Sequence, residues 1–399
     1  MRLTRGICLL LVAAAAVAGC GDNGKEHSAS DPDVSSLDSG NFPTEPRDLS
    51  PTRSPKAGPY LEAIRIANAT PLVVEVDPKL SYQRFTYRSD RRSTPDSPPT
   101  LYSVSEDARF AEMAEGFIAG WETNGERRAV PALGRNAVLY ALRFGTADQA
   151  RTAGTRIAQR QAADFPGTSV TIEGFPQAIA KWSTDKRYLD TWLAQDTMLL
   201  GVHIEDPVSE PVDTEPLVEF TRTALTAQVD ALRAYQPTPV SELDSLPVDI
   251  DGLLGRTLPL EEKHQPHNRF DVSWVAPAHA ALHAEGRPGR VAAAFTDAGV
   301  DLVASAGARV YRARDEDGAI RLMTALAELE SDTYKPAPSP SGMPGARCYE
   351  LRDPKGSTAS YPPICYLVFD RYVGRVQGTN AQELHQQTAA QYKLLAHDD

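Results

Sequence analysis

Cysteine carries the clearest chemistry in this sequence. Cys20 follows Val17-Ala18-Gly19, at the end of an uncharged apolar run that begins at Ile7. A signal peptidase admits only small side chains before its cut, and a cysteine directly after the cut supplies a thiol for acylation. The pattern predicts a leader over residues 1–19 and acyl chains on Cys20 that hold the protein on a membrane. An ordinary cleaved signal with a chance cysteine is the alternative. A single-pass membrane anchor is disfavoured, since the apolar run is shorter than the ~20 residues of a membrane span.

Two further cysteines, Cys348 and Cys365, lie far from the leader. An even pair in an exported protein predicts one disulfide, which would close a loop of about 18 residues and contribute roughly 3 kcal/mol to stability. A redox-active or metal-binding pair is the alternative, but such cysteines are usually close in sequence, as in Cys-x-x-Cys, and that motif is absent.

The pattern Ser-x-x-Lys of penicillin-binding enzymes occurs at Ser183 and Lys186, followed in the matching order by Ser331-Asp332-Thr333 and Lys355-Gly356-Ser357. In those enzymes the serine opens a helix, so that the lysine one turn later reaches it. Here Ser183 is expected in a hairpin turn, and Lys-Gly-Ser inverts the usual order. The sequence also lacks a Gly-x-Ser-x-Gly elbow, a His-Glu-x-x-His motif and a glycine-rich phosphate loop. We therefore assign no catalytic and no cofactor-binding residue.

Histidines form a loose cluster in the second half of the chain, at His264, His267, His279 and His283. His279 and His283 would share one face of a helix, and all four could bind zinc. The segment 278–284 is equally compatible with a strand. No Asp or Glu lies at a defined spacing from these histidines to act as a fourth zinc ligand. We expect structural histidines here, with no metal site and no cofactor.

The four tryptophans could line a sugar or lipid site, but their spacing along helices and strands favours a place in the core. They are Trp121, Trp182, Trp192 and Trp274. A cleft between the two halves of the chain is the expected place for a ligand.

The chain has 399 residues and a formal net charge of −12, and the predicted leader removes two arginines and no acid. Such an acidic protein is a poor candidate for binding nucleic acid or an anionic membrane surface. We expect no nucleic-acid partner, and membrane attachment through the acyl chains on Cys20 alone.

Residues 20–58 are rich in Ser, Asp, Pro and Gly, which predicts a disordered, flexible tether. The segment Gly40-Asn41-Phe42-Pro43-Thr44 is less generic. Following a lipobox and preceding a long α/β body, it resembles an uncharacterised family of actinobacterial lipoproteins, of the mycobacterial and nocardial type, with a two-domain α/β body. The resemblance implies a surface lipoprotein and brings no activity, cofactor or catalytic residue with it.

The body repeats itself, because both halves predict helix, strand, helix, strand, strand and helix, after one further strand. The matched pairs are the helices around Phe110–Gly125 and Val291–Gly299, the strands Ala137–Leu142 and Ala308–Ala313, the turns Gly174-Phe175-Pro176 and Gly342-Met343-Pro344, the strands Ala178–Trp182 and Arg347–Leu351, the strands Thr191–Ile204 and Ile364–Val376, and the preceding strands Leu72–Val76 and Phe270–Val275. Within the later strands, Trp192–Asp196 aligns with Tyr366–Asp370. Capping boxes begin helices at Thr146 and Asn380.

These elements predict an α+β fold with two homologous domains, 59–235 and 249–399, joined by a linker over 236–248. Each domain is expected to hold an antiparallel sheet covered on one side by helices. The predicted role is non-catalytic binding of a lipid, a glycan or an envelope protein, at the extracytoplasmic face of the cell membrane. The alternative is an envelope hydrolase or transferase of unrecognised type, which would hold a carboxylate, Ser or His with a partner at hydrogen-bond distance.

Replacing Cys20→Ser should release the protein from the membrane fraction, because the serine hydroxyl does not take the acyl chains. Fractionation of cells followed by immunoblotting measures this. Cys8→Ser is the control, since Cys8 leaves with the leader. Unchanged membrane retention of the Cys20 variant would show that the lipobox prediction is wrong.

Overall fold

A computed structural model of the chain describes residues 32–52, 57–84, 92–104, 109–130, 133–260, 273–353 and 361–397. The leader, Cys20, His264, His267 and Lys355-Gly356-Ser357 lie outside the described residues. Residues 32–399 form one compact unit.

The first half of the chain forms a seven-stranded sheet in which all neighbours are antiparallel. Its elements in chain order are α1 (Gly58–Asn68), α2 (Val73–Val76), β1 (Arg92–Ser93), α3 (Phe110–Met113), β2 (Phe117–Glu126), β3 (Asn136–Phe144), α4 (Ala147–Asp164), β4 (Thr168–Val170), β5 (Ile179–Ser183), β6 (Tyr188–Gln195), β7 (Met198–Glu205) and α5 (Glu215–Leu232). The strands lie side by side in the order β1-β2-β3-β7-β6-β5-β4.

The second half forms another seven-stranded antiparallel sheet. Its elements are β8 (Trp274–Pro277), α6 (Ala278–Leu282), α7 (Pro288–Ala298), β9 (Leu302–Ser305), β10 (Ala308–Arg312), α8 (Glu316–Leu329), β11 (Tyr334–Ala337), β12 (Arg347–Leu351), β13 (Ile364–Phe369), β14 (Tyr372–Gln377) and α9 (Ala381–Ala396). Their spatial order, β8-β9-β10-β14-β13-β12-β11, repeats that of the first sheet strand for strand. The predicted α+β class with two antiparallel sheets packed by helices is confirmed.

Tight turns confirm part of the predicted alignment between the halves. Asp196 connects β6 to β7 and Asp370 connects β13 to β14, and both adopt a left-handed backbone with φ of 49°. Aspartate tolerates this conformation better than most residues because its short side chain bonds locally. Gly174 and Gly342, the first residues of the two matched turns, also have positive φ, at 83° and 77°. The segments Thr191–Ile204 and Ile364–Val376 therefore each contain a hairpin of two strands, where one strand was predicted.

Helices cover both faces of each sheet, where the sequence predicted cover on one face only. In the first domain α4 packs on one face and α1 with α5 on the other, and in the second domain α8 and α9 lie on opposite faces. The reason is visible in β3, where all nine residues are buried. Such a strand, apolar on both sides, needs a packed layer on each face of its sheet.

Two early elements differ from the prediction. Phe117 and Trp121 lie on strand β2, so the match of this segment to α7 is wrong. A spacing of four residues fits one helical turn and also two strand repeats, which is why the pattern misled. The predicted strand Leu72–Val76 contains the single-turn helix α2, whose Glu75 carboxylate accepts from the Leu72 backbone N–H at 2.8 Å. The counterpart of this segment in the second domain does contain a strand, β8, over Trp274–Pro277.

Residues 32–52 pack on the second domain and differ in this from the free tether predicted over 20–58. Leu37 is buried in that domain's core, and Phe42 and Leu49 pack against it. The Arg47 backbone N–H donates to the Gly255 carbonyl at 3.2 Å. Gly255 is required there, because a Cβ would lie 2.3 Å from the Arg47 carbonyl oxygen. Three apolar residues at irregular intervals give no periodic signal, so composition alone hid this contact.

A buried ion pair joins α1 to the centre of the first sheet. The Glu62 side chain in α1 is fully buried and pairs with Arg143 on β3. The same carboxylate accepts from the Tyr235 hydroxyl, and from the backbone N–H and hydroxyl of Thr238 at 3.1 and 2.7 Å. Thr238 belongs to the predicted linker 236–248, which therefore packs on the first domain at this point.

The predicted disulfide is present. Cys348 on β12 and Cys365 on β13 are directly opposite in the antiparallel register, with their Cα atoms 4.0 Å apart. Both side chains are buried. The bond closes the hairpin between these two strands.

Replacing both cysteines by alanine should lower the free energy of unfolding by about 3 kcal/mol, because the unfolded chain regains the freedom of the loop between them. Chemical denaturation measures this. A reductant should destabilise the wild type and leave the double variant unchanged. Free thiols at both positions of the unreduced exported protein, detected by alkylation and mass spectrometry, would contradict the disulfide.

Candidate functional site

Strands β6 and β7 bring a carboxylate and an imidazole together inside the first domain. Asp190 and His203 are cross-strand neighbours, and Asp190 Oδ1 lies 2.7 Å from His203 Nδ1. Each is only 3% exposed. Because a carboxylate accepts the Nδ1 proton, the other ring nitrogen of a neutral imidazole is left as an acceptor.

Around this pair, several polar atoms are buried without a hydrogen-bond partner among the described residues. They are Asp190 Oδ2, His203 Nε2, the Tyr188 hydroxyl and the Ser103 hydroxyl. The two hydroxyls still interact with each other, since Ser103 lowers the pKa of Tyr188, and Asp190 Oδ2 has Lys181 as an ion-pair partner, so His203 Nε2 is the atom of the four with no polar neighbour of this kind. Buried polar groups are almost always hydrogen-bonded, so a cluster of four such atoms requires an explanation such as an ordered water or a ligand. We call Ser103, Tyr188, Asp190 and His203 the polar cluster.

Aromatic rings enclose the imidazole. The Tyr102 ring stacks on His203 with centroids 4.6 Å apart, and the Tyr188 ring lies at 5.3 Å. Gln161 in α4 holds this arrangement in place. Its side-chain N–H donates to the Tyr102 carbonyl and its oxygen accepts from Trp192 Nε1, both at 2.8 Å.

Lys181 on β5 is the cation nearest to the Asp190 carboxylate, with its Nζ 3.7 Å from Oδ2. The ammonium also donates to the carbonyls of Gln161 and Phe165 at 2.8 Å, at the C-terminal end of α4, where a cation is favoured. Burial lowers the pKa of Lys181, and the Asp190 carboxylate acts in the opposite direction. Burial raises the pKa of Tyr188, so its hydroxyl remains protonated at neutral pH.

Ser103 sits in a left-handed backbone with φ of 60°. This conformation costs a non-glycine residue roughly 1–2 kcal/mol, and such strained residues occur often at functional sites. Ser103 follows Tyr102 in the chain, and its side chain interacts with the Tyr188 hydroxyl within the polar cluster.

Ser183 and Lys186 do not form a nucleophile and base pair. The Ser183 hydroxyl, at the end of β5, donates to the Pro166 carbonyl at 3.4 Å. The Lys186 ammonium lies over the Phe165 ring, 5.7 Å from its centroid. Ser331 donates its hydroxyl to the Glu328 carbonyl in the second domain.

His279 and His283 share one face of helix α6 and its C-terminal cap, with ring centroids 5.6 Å apart. Their other contacts tie α6 to the first domain. His279 Nε2 lies 3.3 Å from the Glu75 carboxylate, and His283 Nε2 lies 3.2 and 3.1 Å from the carbonyls of Ala67 and Thr70. Among the described residues, no group of three potential ligands is arranged to hold a metal ion.

Three of the tryptophans fill the core, as predicted. Trp121, Trp182 and Trp192 are 8%, 7% and 3% exposed. Trp274 is partly buried, with the Arg309 guanidinium 5.9 Å from its ring centroid. The region between the halves, where we expected a ligand cleft, is packed at Trp121, which contacts His283 edge-on.

The polar cluster was missed by the analysis of the sequence. Its signal is the alternation in β6, where Tyr188 and Asp190 precede Trp192 on one face, together with a lone histidine in the apolar strand β7. Polar residues within otherwise buried strands indicate a buried polar site. Only the register of β6 on β7 shows that Asp190 and His203 are neighbours.

Family models of unknown function cover most of the chain. The N-terminal DUF7373 domain model matches residues 49–248 and the C-terminal DUF7373 model matches residues 253–398. The chain belongs to the DUF7373 family. The whole polar cluster of this DUF7373 protein lies within the match to the N-terminal model.

No curated protein matches the chain. Among solved structures, the chain is similar to the extracellular domain of PknH from Mycobacterium tuberculosis, at 12% sequence identity and a TM-score of 0.28, over 42% of this chain and 96% of that one. A similarity at this level carries no argument about function. None of the helices in the described ranges is long and apolar enough to cross a membrane.

Asp190→Asn should lower the free energy of unfolding by about 1–3 kcal/mol, because His203 and Lys181 both lose a buried charged acceptor. Chemical denaturation measures the loss, and nitrogen NMR of the His203 ring should show an altered tautomer. Asp196→Asn is the matched control, in the exposed turn of the same hairpin, and should change stability by less than about 0.5 kcal/mol. Equal losses in the two variants, or an unchanged His203 ring, would contradict the assigned pair.

Proposed function

We propose that this DUF7373 protein is a lipid-anchored envelope protein that binds a small hydroxyl-bearing ligand at the polar cluster, without converting it. The observation that carries the proposal is the set of buried polar atoms without a well-formed hydrogen bond in the described part of the chain, above all His203 Nε2. A bound ligand would supply those partners and remove the cost of leaving them unpaired.

The chemistry of the cluster favours a ligand that donates hydrogen bonds. Asp190 Oδ2 is an acceptor, and His203 Nε2 is an acceptor while the ring is neutral. The hydroxyls of Ser103 and Tyr188 can donate or accept. Neighbouring hydroxyls of a glycan would donate to Asp190 Oδ2 and His203 Nε2 and would accept from the two hydroxyls. The aromatic rings around the cluster suit the apolar faces of a sugar.

The lipobox at Cys20 supports attachment by acyl chains, and the disulfide supports an oxidising compartment. Together they favour the extracytoplasmic face of the cell membrane. At this location, an envelope lipid or an envelope protein is the alternative binding partner.

An envelope hydrolase or transferase is the second candidate, and one observation favours it. An imidazole that donates one proton to a buried carboxylate and leaves its other nitrogen as an acceptor has the form of a general base. Ser103, which follows Tyr102 in the chain and has a left-handed backbone, would be the nucleophile of such a site.

Native mass spectrometry of the protein purified from the envelope of its own host tests ligand binding. We expect the wild type to carry an added mass of glycan composition. Asp190→Asn and Tyr188→Phe should lose that mass at nearly constant side-chain volume, because the first replaces a charged acceptor oxygen by an amide nitrogen and the second removes the hydroxyl. Asp196→Asn should retain it.

A wild-type protein of clean mass, folded by circular dichroism, would refute the bound ligand. Labelling with a fluorophosphonate probe separates the two candidates. Covalent labelling of the wild type that is lost in Ser103→Ala would assign the cluster to a hydrolase.

A further inference from the structure

Glu205 extends the polar cluster by one row of the first sheet. It lies two residues after His203 on β7, so the two side chains share one face of the sheet. In the antiparallel register Glu205 is opposite Tyr188 on β6 and Asn136 on β3. His203 is 3% exposed whereas Glu205 is partly exposed, so the carboxylate lies on the side of the cluster that solvent reaches.

The Glu205 carboxylate is held in place from β3. The Asn136 side chain is 6% exposed, and its amide N–H donates to Glu205 Oε2 at 3.3 Å. This bond restricts the rotamers of a side chain that would be free if it were fully solvated. The carboxylate also acts on the polar cluster, because burial and then the charges of Asp190 and Glu205 raise the pKa of Tyr188.

No cation of the described residues forms an ion pair with Glu205. The basic residues that form ion pairs on the neighbouring strands and turns have other carboxylates as partners. These pairs are Arg84–Glu126, Arg135–Asp206, Lys181–Asp190 and Arg187–Glu210. Arg127 and Arg128, which follow β2, are exposed and form no ion pair with Glu205. A partly buried carboxylate without a cation is therefore the neighbour of His203, whose Nε2 also lacks a partner in the described part of the chain.

An ammonium group suits this place better than a metal ion. Within the described ranges, no three potential ligands are arranged to hold a metal. An ammonium group carries one positive charge and three N–H donors, which match one carboxylate and a nearby hydroxyl oxygen such as that of Tyr188. Two residues of a strand span about 6.8 Å, which is comparable to the width of one pyranose ring. A sugar that bonds His203 can thus place a substituent beside Glu205.

We propose that Glu205 pairs with an ammonium group of the bound ligand, which makes the ligand an amino sugar. The hydroxyls of the sugar would bond Asp190 and His203, and its free amine would neutralise Glu205. This inference rests on the proposed ligand site and narrows its ligand from glycans in general to glycans with an unacetylated amine.

Isothermal titration calorimetry of the full chain in detergent tests the assignment with two probes. One probe is a tetramer of glucosamine, and the other is the same tetramer with every amine acetylated. In slightly acidic buffer we expect the wild type to bind the glucosamine tetramer about tenfold more tightly, because a hydrogen bond between charged groups is stronger than one between neutral groups. Raising the pH until the sugar amine is neutral should remove this preference.

Glu205→Gln should lower the affinity for the glucosamine tetramer by about tenfold and the affinity for the acetylated tetramer by much less, since it removes the charge at nearly constant volume. Glu242→Gln is the matched control, because Glu242 is an exposed glutamate on the short helix Val240–Ser245, and it should retain both affinities. Circular dichroism checks that both variants fold.

Equal affinity of the wild type for the two tetramers would overturn the ammonium assignment and leave the ligand site standing. The same preference in Glu205→Gln as in the wild type would do so too. Binding of neither tetramer would also overturn the assignment, and a glycan mass on the envelope-purified protein that Asp190→Asn removes would show that the ligand site survives it.

Discussion

The first domain depends on one buried ion pair. Glu62 is fully buried in α1, and the Arg143 side chain that neutralises it lies on the central strand β3. Removing Glu62 would leave the buried Arg143 guanidinium without its carboxylate, which is strongly destabilising, whereas removing Arg143 would leave Glu62 with Arg65 as its cation, 3.2 Å away. The pair therefore fixes α1 on one face of the sheet, and the contacts of Glu62 with Tyr235 and Thr238 fix the chain that leaves α5. The polar cluster occupies the opposite face, where α4 and Tyr102 cover it.

The two domains share a topology but not their buried chemistry. In the matched hairpins, Trp192 faces Gly201 in the first domain and Tyr366 faces Arg375 in the second. Arg375 pairs with Glu330 at 3.1 Å, and its strand neighbour Arg309 pairs with Glu285 at 2.7 Å. The second domain thus pairs these two buried arginines with carboxylates, whereas the hairpin of the first domain holds the polar cluster. Duplication gave two similar scaffolds, and the open cluster distinguishes one of them.

The sequence predicted the parts of this fold that local rules determine. Thr146 and Asn380 cap their helices through their side chains, and the disulfide joins the expected cysteines. The hairpin turns at Asp196 and Asp370 were missed, because the two segments that contain them were each predicted as a single strand. Failures occurred where a pattern fits two structures, as with the four-residue spacing from Phe117 to Trp121. The polar cluster could not be predicted from the sequence, for a different reason. Asp190 and His203 are 13 residues apart in sequence, and only the register of β6 on β7 makes them neighbours.

The packing of residues 32–52 on the second domain shortens the length of chain that could serve as a membrane tether. A free chain from Cys20 to the first domain would span 38 residues, but Leu37 and Arg47 are already held on the second domain. Between Cys20 and Asp33, where the short helix at Val34–Ser36 is capped, only about 13 residues remain, with a stretched length of at most ~45 Å. If Cys20 carries acyl chains, the second domain, on which Leu37 packs, becomes the point at which the tether joins the folded part of the chain.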